Sequence, residues 1–346
     1  MKIAVVNTHV PYIYGGAEFL ADNLVKKLNQ HGHNAVLIKI PFQWNPPQEI
    51  INHMHAARLL HFESYFDLVI PLKFPAYHIR HSNKVLWLLH QFRQVYDLWG
   101  TPFQGIPSTS EGLRLKNNII KHDNLYLREA KKIFTNSNIT SDRLKRFNGF
   151  DSEVLYPPLM DAENFHCEEY GDFLFYPSRI NGAKRQNLAI ESMRYIKSKV
   201  KLLIAGNPES EHDMKQMQAQ IHQYGLKDKV TIISQFISQE QKVNFFAKCL
   251  GCLYIPFHED SYGYVTLEAY HSQKPVITCT DSGGTDVLVK DHLTGFVVPP
   301  EPQAIAEAMD KFYINKKRTE EMGKLGLEHI RSLNISWENV VRRLTE

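Results

Sequence analysis

The stretch CLYIPFHEDSYGYVTLEAYHSQKPVITC, residues 252–279, decides the fold of this chain. An apolar run at 251–255 leads through a polar loop into a predicted helix at 265–272, and a second apolar run follows at 275–278. Two buried strands joined by a helix are typical of a parallel β-α-β unit, because parallel neighbours need a crossover connection.

The residues on both sides of this stretch repeat the same alternation, and the stiff Tyr156-Pro157-Pro158 break divides it into two series. We therefore predict an α/β protein with two doubly wound, Rossmann-like parallel-sheet domains, at 1–158 and 159–332. The predicted strands are 2–6, 35–38, 67–70, 84–89, 132–135, 153–155, 173–176, 200–205, 230–233, 251–255, 275–278 and 295–297, and the predicted helices are 17–31, 185–196, 210–224, 239–248, 265–272 and 303–313.

Composition and charge set limits on the function. The 346 residues are 43% hydrophobic and 22% charged, which is typical of a folded globular protein. No apolar run reaches the roughly 20 residues of a membrane-spanning helix, and the first residues lack the pattern of a secretory signal. We therefore expect a cytoplasmic protein.

Positive charge is concentrated in the first domain. Residues 1–158 contain 18 Lys and Arg against 12 Asp and Glu, whereas the remainder contains 22 against 25. A basic first half suits an anionic acceptor or loose contact with a membrane surface, and an unevenly charged solvated surface is the alternative. Cys249 and Cys252 form a CxxC without a second pair, so buried reduced thiols are favoured over zinc or redox chemistry.

Ligands of open parallel sheets bind at the carboxyl ends of the strands, and two such domains predict a ligand site in the cleft between them. Gly263 marks the turn into a predicted helix, whose free N–H groups suit a phosphate. Asp260 and Glu268 flank that turn, and their carboxylates suit the hydroxyls of a sugar or a ribose. An acidic loop followed by a helix-stabilising Glu is the alternative interpretation.

Arg179 and Lys184 flank another turn between a predicted strand and a predicted helix. Cations at a helix start oppose the helix dipole, so an anion such as a diphosphate would explain them, with a solvated basic loop as the alternative. Gly15-Gly16 follows the first strand and would let backbone approach a phosphate or a sugar. The small-residue loop at 282–286 either lines the same pocket or forms a tight turn.

His90 follows the predicted strand at 84–89, where a catalytic role and a structural one are both open. The segment 91–112 combines Arg93, Tyr96 and Trp99, which we interpret as shaping the acceptor site, with a packed surface loop as the alternative. Since the sequence has no convincing metal-ligand spacing, we expect no metal cofactor. Arg, Lys and helix dipoles would then stabilise the leaving group.

Together these segments resemble the retaining glycosyltransferases of family 4, which have the GT-B fold. The resemblance is strongest over about 173–300, in YPSRINGAKRQNLAIESM, in LLIAGNPE and in SYGYVTLEAYHSQKPVITCTDSGGTDVLVKDHLTGFVVPP. The acidic-x7-Glu motif of the family is Asp260…Glu268 here, with Asp in the place of the first Glu. NTHVPYIYGGAEFLADNLVKKLNQHGH resembles the family's first glycine loop and helix. SWENVVRRL resembles its terminal helix, expected here at about 333–346 and packed back on the first domain.

The resemblance implies a role for each charged residue of the second domain. Arg179 and Lys184 would bind the donor diphosphate and stabilise it as it leaves. Glu268 would hold the ribose hydroxyls, and Asp260 would hold hydroxyls of the transferred sugar.

The resemblance also assigns the uncharged positions. Backbone at Gly263, Tyr264 and Val265 would touch the sugar or the phosphate, and Phe236 would lie at the base. In the first domain, Gly15 and Gly16 would approach the phosphate. His90 would lie near the reacting sugar, although Gln91 replaces the Asp that usually follows.

These expectations define a metal-independent transfer of a hexose-type sugar from a nucleoside diphosphate, with UDP preferred and GDP as the alternative. The acceptor is a glycan such as a cell-surface polysaccharide, a lipid-linked oligosaccharide or a small molecule, and no nucleic acid is expected. Three other functions stay open. They are a nucleotide-sugar epimerase of the same fold, a noncatalytic nucleotide-sugar-binding protein, and an oxidoreductase that binds a dinucleotide, which the missing GxGxxG disfavours.

Overall fold

The computed structural model describes residues 1–12, 15–259 and 262–346, except for the side chain of Asp286. Within these ranges the strands are β1 (Lys2–His9), β2 (Asn34–Pro41), β3 (Leu68–Pro71), β4 (Val85–Leu88), β5 (Lys132–Thr135), β6 (Glu153–Val154), β7 (Phe173–Pro177), β8 (Lys201–Ala205), β9 (Val230–Ile233), β10 (Gly251–Leu253), β11 (Val276–Cys279) and β12 (Gly295–Val298). The helices are α1 (Gly16–Gln30), α2 (Glu49–Leu59), α3 (Ser110–Leu127), α4 (Asn138–Asn148), α5 (Gln186–Ser192), α6 (Glu211–Gln223), α7 (Gln239–Lys248), α8 (Tyr264–His271), α9 (Pro302–Ile314), α10 (Lys316–Ser332) and α11 (Trp337–Thr345).

The chain folds into two compact units, Met1–Pro158 with Ile335–Glu346, and Leu159–Asn334. All strand pairs within the described ranges are parallel, which confirms the α/β prediction. The predicted strands could be found because most of them contain short apolar runs that are buried, as is typical of parallel sheets covered on both faces.

The described part of the second unit contains a six-stranded sheet in the order β12-β11-β10-β7-β8-β9. Counted from the other edge within the unit, this is the doubly wound order 3-2-1-4-5-6. The direction of winding reverses between β7 and β10, and the carboxyl ends of these two strands form the crevice where such sheets bind ligands.

The first unit has the strand order β2-β1-β3, followed by β4-β5-β6. A parallel bridge between Val69 and Lys84 and a backbone hydrogen bond from Leu89 to Leu72 connect β3 with β4. The winding of this unit therefore reverses between β1 and β3.

The last helix, α11, packs on the core of the first unit. It contributes Trp337, Val340, Val341 and Leu344, which are buried in one cluster with Leu20 and Leu24 of α1 and with strand residues of the same unit. Burial of these apolar side chains stabilises the return of the chain to its first unit.

One predicted helix, 185–196, is shorter in the structure. The helix α5 ends at Ser192, and the Asp310 carboxylate of α9 accepts the backbone N–H groups of Lys197 and Ser198 at 3.0 and 2.9 Å. This tertiary capping stabilises a turn into β8. It comes from a residue more than a hundred positions away, so the local pattern could not predict it.

Candidate active site

Three loops meet at the carboxyl ends of β7, β10 and β11 in the second unit. The strands β11, β10 and β7 are neighbours in the sheet, and its switch point lies between β7 and β10. The predicted donor residues Lys184, Gly263 and Glu268 all follow β7 or β10 along the chain. Their geometry shows what this crevice can bind.

Lys184 is held by two partners that follow β10. Its ammonium donates to the hydroxyl of Tyr254 at 3.0 Å and forms an ion pair with Glu259. The Tyr254 hydroxyl in turn donates to the Glu259 carboxylate at 3.1 Å. Burial and the neighbouring Glu259 carboxylate raise the pKa of Tyr254, so the phenol keeps the proton it donates.

Gly263 lies directly against the ring of Tyr254. Its φ of 69° is in the left-handed region, and an added Cβ would stand 2.5 Å from Cε1 of that ring. Only glycine permits both the backbone angle and the contact, so Gly263 fixes where α8 begins. Tyr264 and Val265 form the first turn of α8, whose N–H groups are the ones predicted to touch the donor.

Glu268 lies on α8 and is only 4% exposed. Its carboxylate accepts a hydrogen bond from the ammonium of Lys242, on α7, at 2.6 Å. A carboxylate this deeply buried needs such a partner, because an unpaired buried charge is costly. Burial, the Glu259 carboxylate and, more weakly, the Glu268 carboxylate raise the pKa of Tyr254.

Arg185 ties the three loops together. Its guanidinium donates to the carbonyls of Ile255 and Pro256 at 2.8 and 2.7 Å and forms a two-point contact with the Asp281 carboxylate at 2.7 and 2.8 Å. Such fork contacts are geometrically specific as well as strong. Arg185 therefore holds the loops after β7, β10 and β11 in one arrangement.

The small-residue loop after β11 packs on the loop after β10. Gly283 has a φ of 70°, and an added Cβ would stand 2.3 Å from the carbonyl oxygen of Glu259. The N–H of Gly284 donates to the same carbonyl at 2.9 Å. The predicted catalytic residue Asp260 lies outside the described residues.

Arg179 and Phe236 are more exposed than the other predicted donor residues. Within the described ranges, the Arg179 side chain makes one long ion pair of 3.9 Å, with Glu209, and both side chains are more than half exposed. Phe236 follows β9 and is 79% exposed. The structure therefore brings Lys184 and Gly263 together at Tyr254, with Glu268 on the helix that begins after Gly263, and leaves Arg179 and Phe236 on more exposed loops.

In the first unit, Gly15 and Gly16 begin α1 at the switch point between β1 and β3. The Glu18 carboxylate accepts the N–H of Gly15 at 2.9 Å and pairs with Lys73, which follows β3, at 2.6 Å. Although burial alone would raise the pKa of Glu18, the Lys73 ammonium and the backbone donors hold it below its usual value. This ion pair fixes the start of α1 against the neighbouring strand end.

His90 follows β4 in the first unit and is half-buried. Its Nδ1 lies 2.8 Å from the carbonyl oxygen of Gln91, so the proton of a neutral ring sits on Nδ1 and donates to that carbonyl. This tautomer leaves Nε2 as the acceptor nitrogen. Backbone pairing with Lys73 places His90 beside the Glu18–Lys73 pair.

Gln91 is fully buried and belongs to a polar network inside the first unit. Its amide accepts from Arg143 at 2.9 Å and donates to Asn148 at 2.8 Å. Asn148 donates to the hydroxyl of Tyr96 at 3.2 Å, and that hydroxyl donates to Asp123 at 2.6 Å. Tyr96 is thus a buried brace, and this burial argues against the direct acceptor contact that we predicted.

The other two residues predicted at the acceptor site have local partners. Arg93 contacts Asp97 through Nε at 3.0 Å and through a terminal nitrogen at 2.6 Å. Trp99 is partly buried against the core, and the ammonium of Lys116 lies 4.3 Å from the centre of its ring. The segment is packed on the first unit, which is the alternative interpretation of its sequence.

Sequence reasoning missed Tyr254, Glu259 and Lys242, the direct partners of Lys184 and Glu268. Glu259 and Tyr254 had a usable signal, since both lie in the loop between β10 and α8. Lys242 had none, because it is one of several charged residues on a helix surface. Among the described residues, no group of three or more His, Cys, Asp or Glu is arranged to hold a metal ion.

Known proteins with similar sequences share this region of the chain. The family described as "Glycosyl transferases group 1" matches residues 164–329, which include every donor residue of the second unit named above. The chain is 30% identical to the alpha-1,3/1,6-mannosyltransferase ALG2 of Mus musculus over 225 residues, covering 57% of this chain and 53% of that protein. It spans about half the length of the curated relatives it matches.

Solved structures match over nearly the whole chain. A sucrose-phosphate synthase from Thermosynechococcus elongatus has a TM-score of 0.79 at 17% identity, covering 99% of this chain and 97% of that one. HepE from Anabaena, solved with UDP and glucose, has a TM-score of 0.73 at 17% identity, covering 100% and 98%. These matches confirm the GT-B fold. The family match over 164–329 and the sequence relatives support the predicted resemblance to the family 4 type of glycosyltransferases.

Proposed function

We propose that this chain is a retaining, metal-independent glycosyltransferase that moves a hexose-type sugar from a nucleoside diphosphate to a glycan, lipid-linked or small-molecule acceptor. UDP is the preferred nucleotide and GDP the alternative. The proposed location is cytoplasmic, at the inner membrane face when the acceptor is lipid-linked. Within the described ranges, no helix is long and apolar enough to cross a bilayer.

The observation that carries this proposal is the contact of Lys184 and Gly263 with Tyr254 at the switch point of the second sheet, beside the helix α8 that carries the buried Glu268. It combines a cation, the start of a helix and a buried carboxylate. A nucleoside diphosphate sugar presents a diphosphate to the first two and ribose hydroxyls to the third. A structural ion pair alone would not require a glycine packed against Tyr254 at the start of α8.

The Lys184–Glu259 pair suggests how the donor enters. An incoming diphosphate carries more negative charge than Glu259 and can take over the Lys184 ammonium, while Tyr254 stays bonded to Glu259. The lysine then stabilises the charge that develops on the leaving diphosphate, where preorganised donors act most strongly. Arg179, on its exposed loop, is free to turn toward the same phosphates at little cost.

Retention of configuration follows if the acceptor attacks from the side that the diphosphate leaves. A departing phosphate oxygen then accepts the acceptor proton, the new glycosidic bond forms as the sugar–phosphate bond breaks, and no protein base is required. His90, with Nε2 as its acceptor nitrogen, is proposed to bind a hydroxyl near the reacting carbon.

The first test measures thermal stabilisation by UDP, GDP, ADP, dTDP and NAD in the presence of a chelator. A ligand that binds only the folded protein raises its melting temperature by mass action. We expect one nucleoside diphosphate to stabilise the wild type. Glu268→Gln should bind it about 30-fold more weakly, because a hydrogen bond to a charged group is worth about 2 kcal/mol. Lys215→Ala, which changes an exposed lysine on α6, is the matched control.

The product assay then uses the matching sugar nucleotide with glycan and lipid-linked acceptors, and NMR reads the anomeric configuration. Stabilisation by NAD alone would contradict the donor assignment. A changed sugar nucleotide formed without acceptor would identify an epimerase. Loss of transfer in chelator, or inversion at the anomeric carbon, would overturn metal independence or retention respectively.

A further inference from the structure

A cavity of about 450 Å³ lies between β12, α9 and α10 in the second unit. It is at the amino edge of the sheet, because β12 begins there and α9, which follows β12, runs back and ends there. The predicted donor residues follow the carboxyl ends of β7 and β10, so this cavity is separate from the candidate active site. Its volume is in the range of sites that bind small molecules.

One wall of the cavity is apolar. Phe296 of β12, Phe312 of α9 and Met322 of α10 line it, and the two phenylalanine rings pack against each other with their centres 5.2 Å apart. Ile314, the last residue of α9, also lines the cavity and is 76% exposed, whereas Met309 and Phe312 of the same helix are buried. An apolar ligand in the cavity would cover this exposed side chain.

The polar side chains that line the cavity present positive charge and N–H donors. Lys311 forms no ion pair with a residue in the described ranges, and its ammonium lies 5.5 Å from the centre of the Phe296 ring. Arg318 is held at the cavity by the carbonyl of His292, to which one terminal nitrogen donates at 2.8 Å. Asn315 accepts the N–H of Arg318 through its amide oxygen at 3.1 Å, which leaves the amide nitrogen as a donor.

The acidic side chains next to the cavity already have partners. Glu321 pairs with the other terminal nitrogen of Arg318 at 3.2 Å, and the Asp291 carboxylate lies 3.7 Å from the imidazole of His292. No carboxylate is among the described residues that line the cavity itself. An anion is therefore the ligand group that complements these cations and donors.

We propose that this cavity binds a small molecule with a flat apolar body and an anionic end group, either a phosphate or a carboxylate. The body packs against Phe296, Phe312 and Ile314, while Lys311 and Arg318 contact the anion. Each part of the ligand meets a matching part of the lining, so a free anion or an uncharged apolar molecule uses only half of the site. The site does not depend on the transferase proposal, since binding at the amino edge needs no sugar nucleotide.

The test is calorimetric titration of the full chain with 1-naphthyl phosphate and with 1-naphthoate. UDP is present in excess, so that the probes do not enter a donor site at the switch point. We expect binding that weakens at high salt, which screens surface charge. Naphthalenemethanol, which lacks the charge, and inorganic phosphate, which lacks the apolar body, should each bind about tenfold more weakly.

The charge variant is Lys311→Gln with Arg318→Gln. It should weaken the binding of both probes about tenfold, at about threefold for each partly exposed charge. The matched control is Lys317→Gln with Lys215→Gln, which removes two positive charges from exposed positions on α10 and α6. Lys215, like Arg318, has a carboxylate partner on its own helix. This control should leave the binding of both probes unchanged.

The apolar variant is Ile314→Ser, which should weaken the binding of the probes and of naphthalenemethanol about threefold, because it removes apolar contact area. Leu59→Ser changes an equally exposed residue at the end of α2 and should have no effect. Thermal unfolding verifies the fold of each variant. A loss of binding that is specific to the cavity variants supports the proposal, and the tighter probe identifies the anionic group. No binding by the wild type, or equal binding by all variants, would overturn it, as would an equal loss in the charge control.

Discussion

The polar residues around Tyr254 in the second unit and those around Gln91 in the first unit are organised in different ways. Around Tyr254, Lys184 and Glu259 pair with each other on loops and remain partly exposed. Around Gln91, the side chains of Arg143, Asn148 and Tyr96 are bonded to one another inside the unit.

The difference separates groups that can change partners from groups that cannot. A partly exposed ion pair on a loop is worth little to stability, so a diphosphate can displace one partner cheaply. In a buried network, breaking one hydrogen bond leaves polar groups unpaired, and each of them costs its desolvation free energy. The members of such a network therefore keep their partners. We infer that the second unit binds the charged donor directly, and that the first unit uses its polar residues to hold the backbone at His90.

The largest effect that would test this contrast is expected for Lys184→Ala. Transfer should fall about 100- to 1000-fold in kcat, as when one preorganised donor to a developing charge is removed. The free energy of unfolding should change by less than about 1 kcal/mol, because the ion pair is partly exposed. Steady-state kinetics and denaturant unfolding measure the two quantities.

Lys215→Ala again serves as the control for a lysine that pairs on an exposed helix surface. It should leave both quantities unchanged. A Lys184→Ala protein that is strongly destabilised but keeps its kcat would reverse our contrast, since the lysine would then be a structural brace.

How far the sequence predicts these two regions depends on where the partners lie. The strands themselves and the loop or helix positions of Lys184, Gly263 and Glu268 could be predicted, because apolar runs and the turn before a helix are local patterns. The link between Tyr254 and Lys184 joins residues 70 positions apart and depends on β7 and β10 being neighbours.

In the first unit, the local sequence did not predict the role of Tyr96. Tyr96 follows His90 closely and reads as a ligand-facing aromatic, yet its hydroxyl is used by Asp123. Nothing in the local sequence reports that a carboxylate of α3 needs a donor inside the core. The same residues would also suit an exposed loop that contacts a ligand. Whether Tyr96 is buried decides between the two interpretations, and its burial depends on tertiary packing.

A smaller effect is expected for Tyr96→Phe. The change leaves a buried oxygen of Asp123 without its hydrogen-bond donor, which should cost about 1–3 kcal/mol of unfolding free energy. Nucleotide binding should not change. Urea unfolding measures the cost, and Tyr313→Phe, a half-exposed tyrosine of α9, is the control.

If Tyr96→Phe instead kept full stability and raised the KM for the acceptor, the hydroxyl would contact acceptor, and the brace assigned to it here would be wrong. A parallel loss of stability and of kcat, with an unchanged KM, would support a role in holding the segment behind His90.

The smallest effect concerns the Glu18–Lys73 pair at the start of α1, which joins features of both regions: it is buried, yet it lies at a switch point. Because the folded pKa of Glu18 is lowered, the folded protein binds fewer protons on this group than the unfolded chain at mildly acidic pH. Its stabilisation is therefore fully present above the ordinary glutamate pKa of about 4.3 and is lost as the pH falls through the lower folded value.

Glu18→Gln should be about 1 kcal/mol less stable than the wild type at pH 7, and the two should converge in acid. Lys73→Met should remove or reverse this pH dependence, because burial raises the pKa of Glu18 and the cation that opposed it is then absent. Urea unfolding at several pH values measures the difference, and a gap that stays constant from neutral to acidic pH would mean that Glu18 acts here by shape and not by charge.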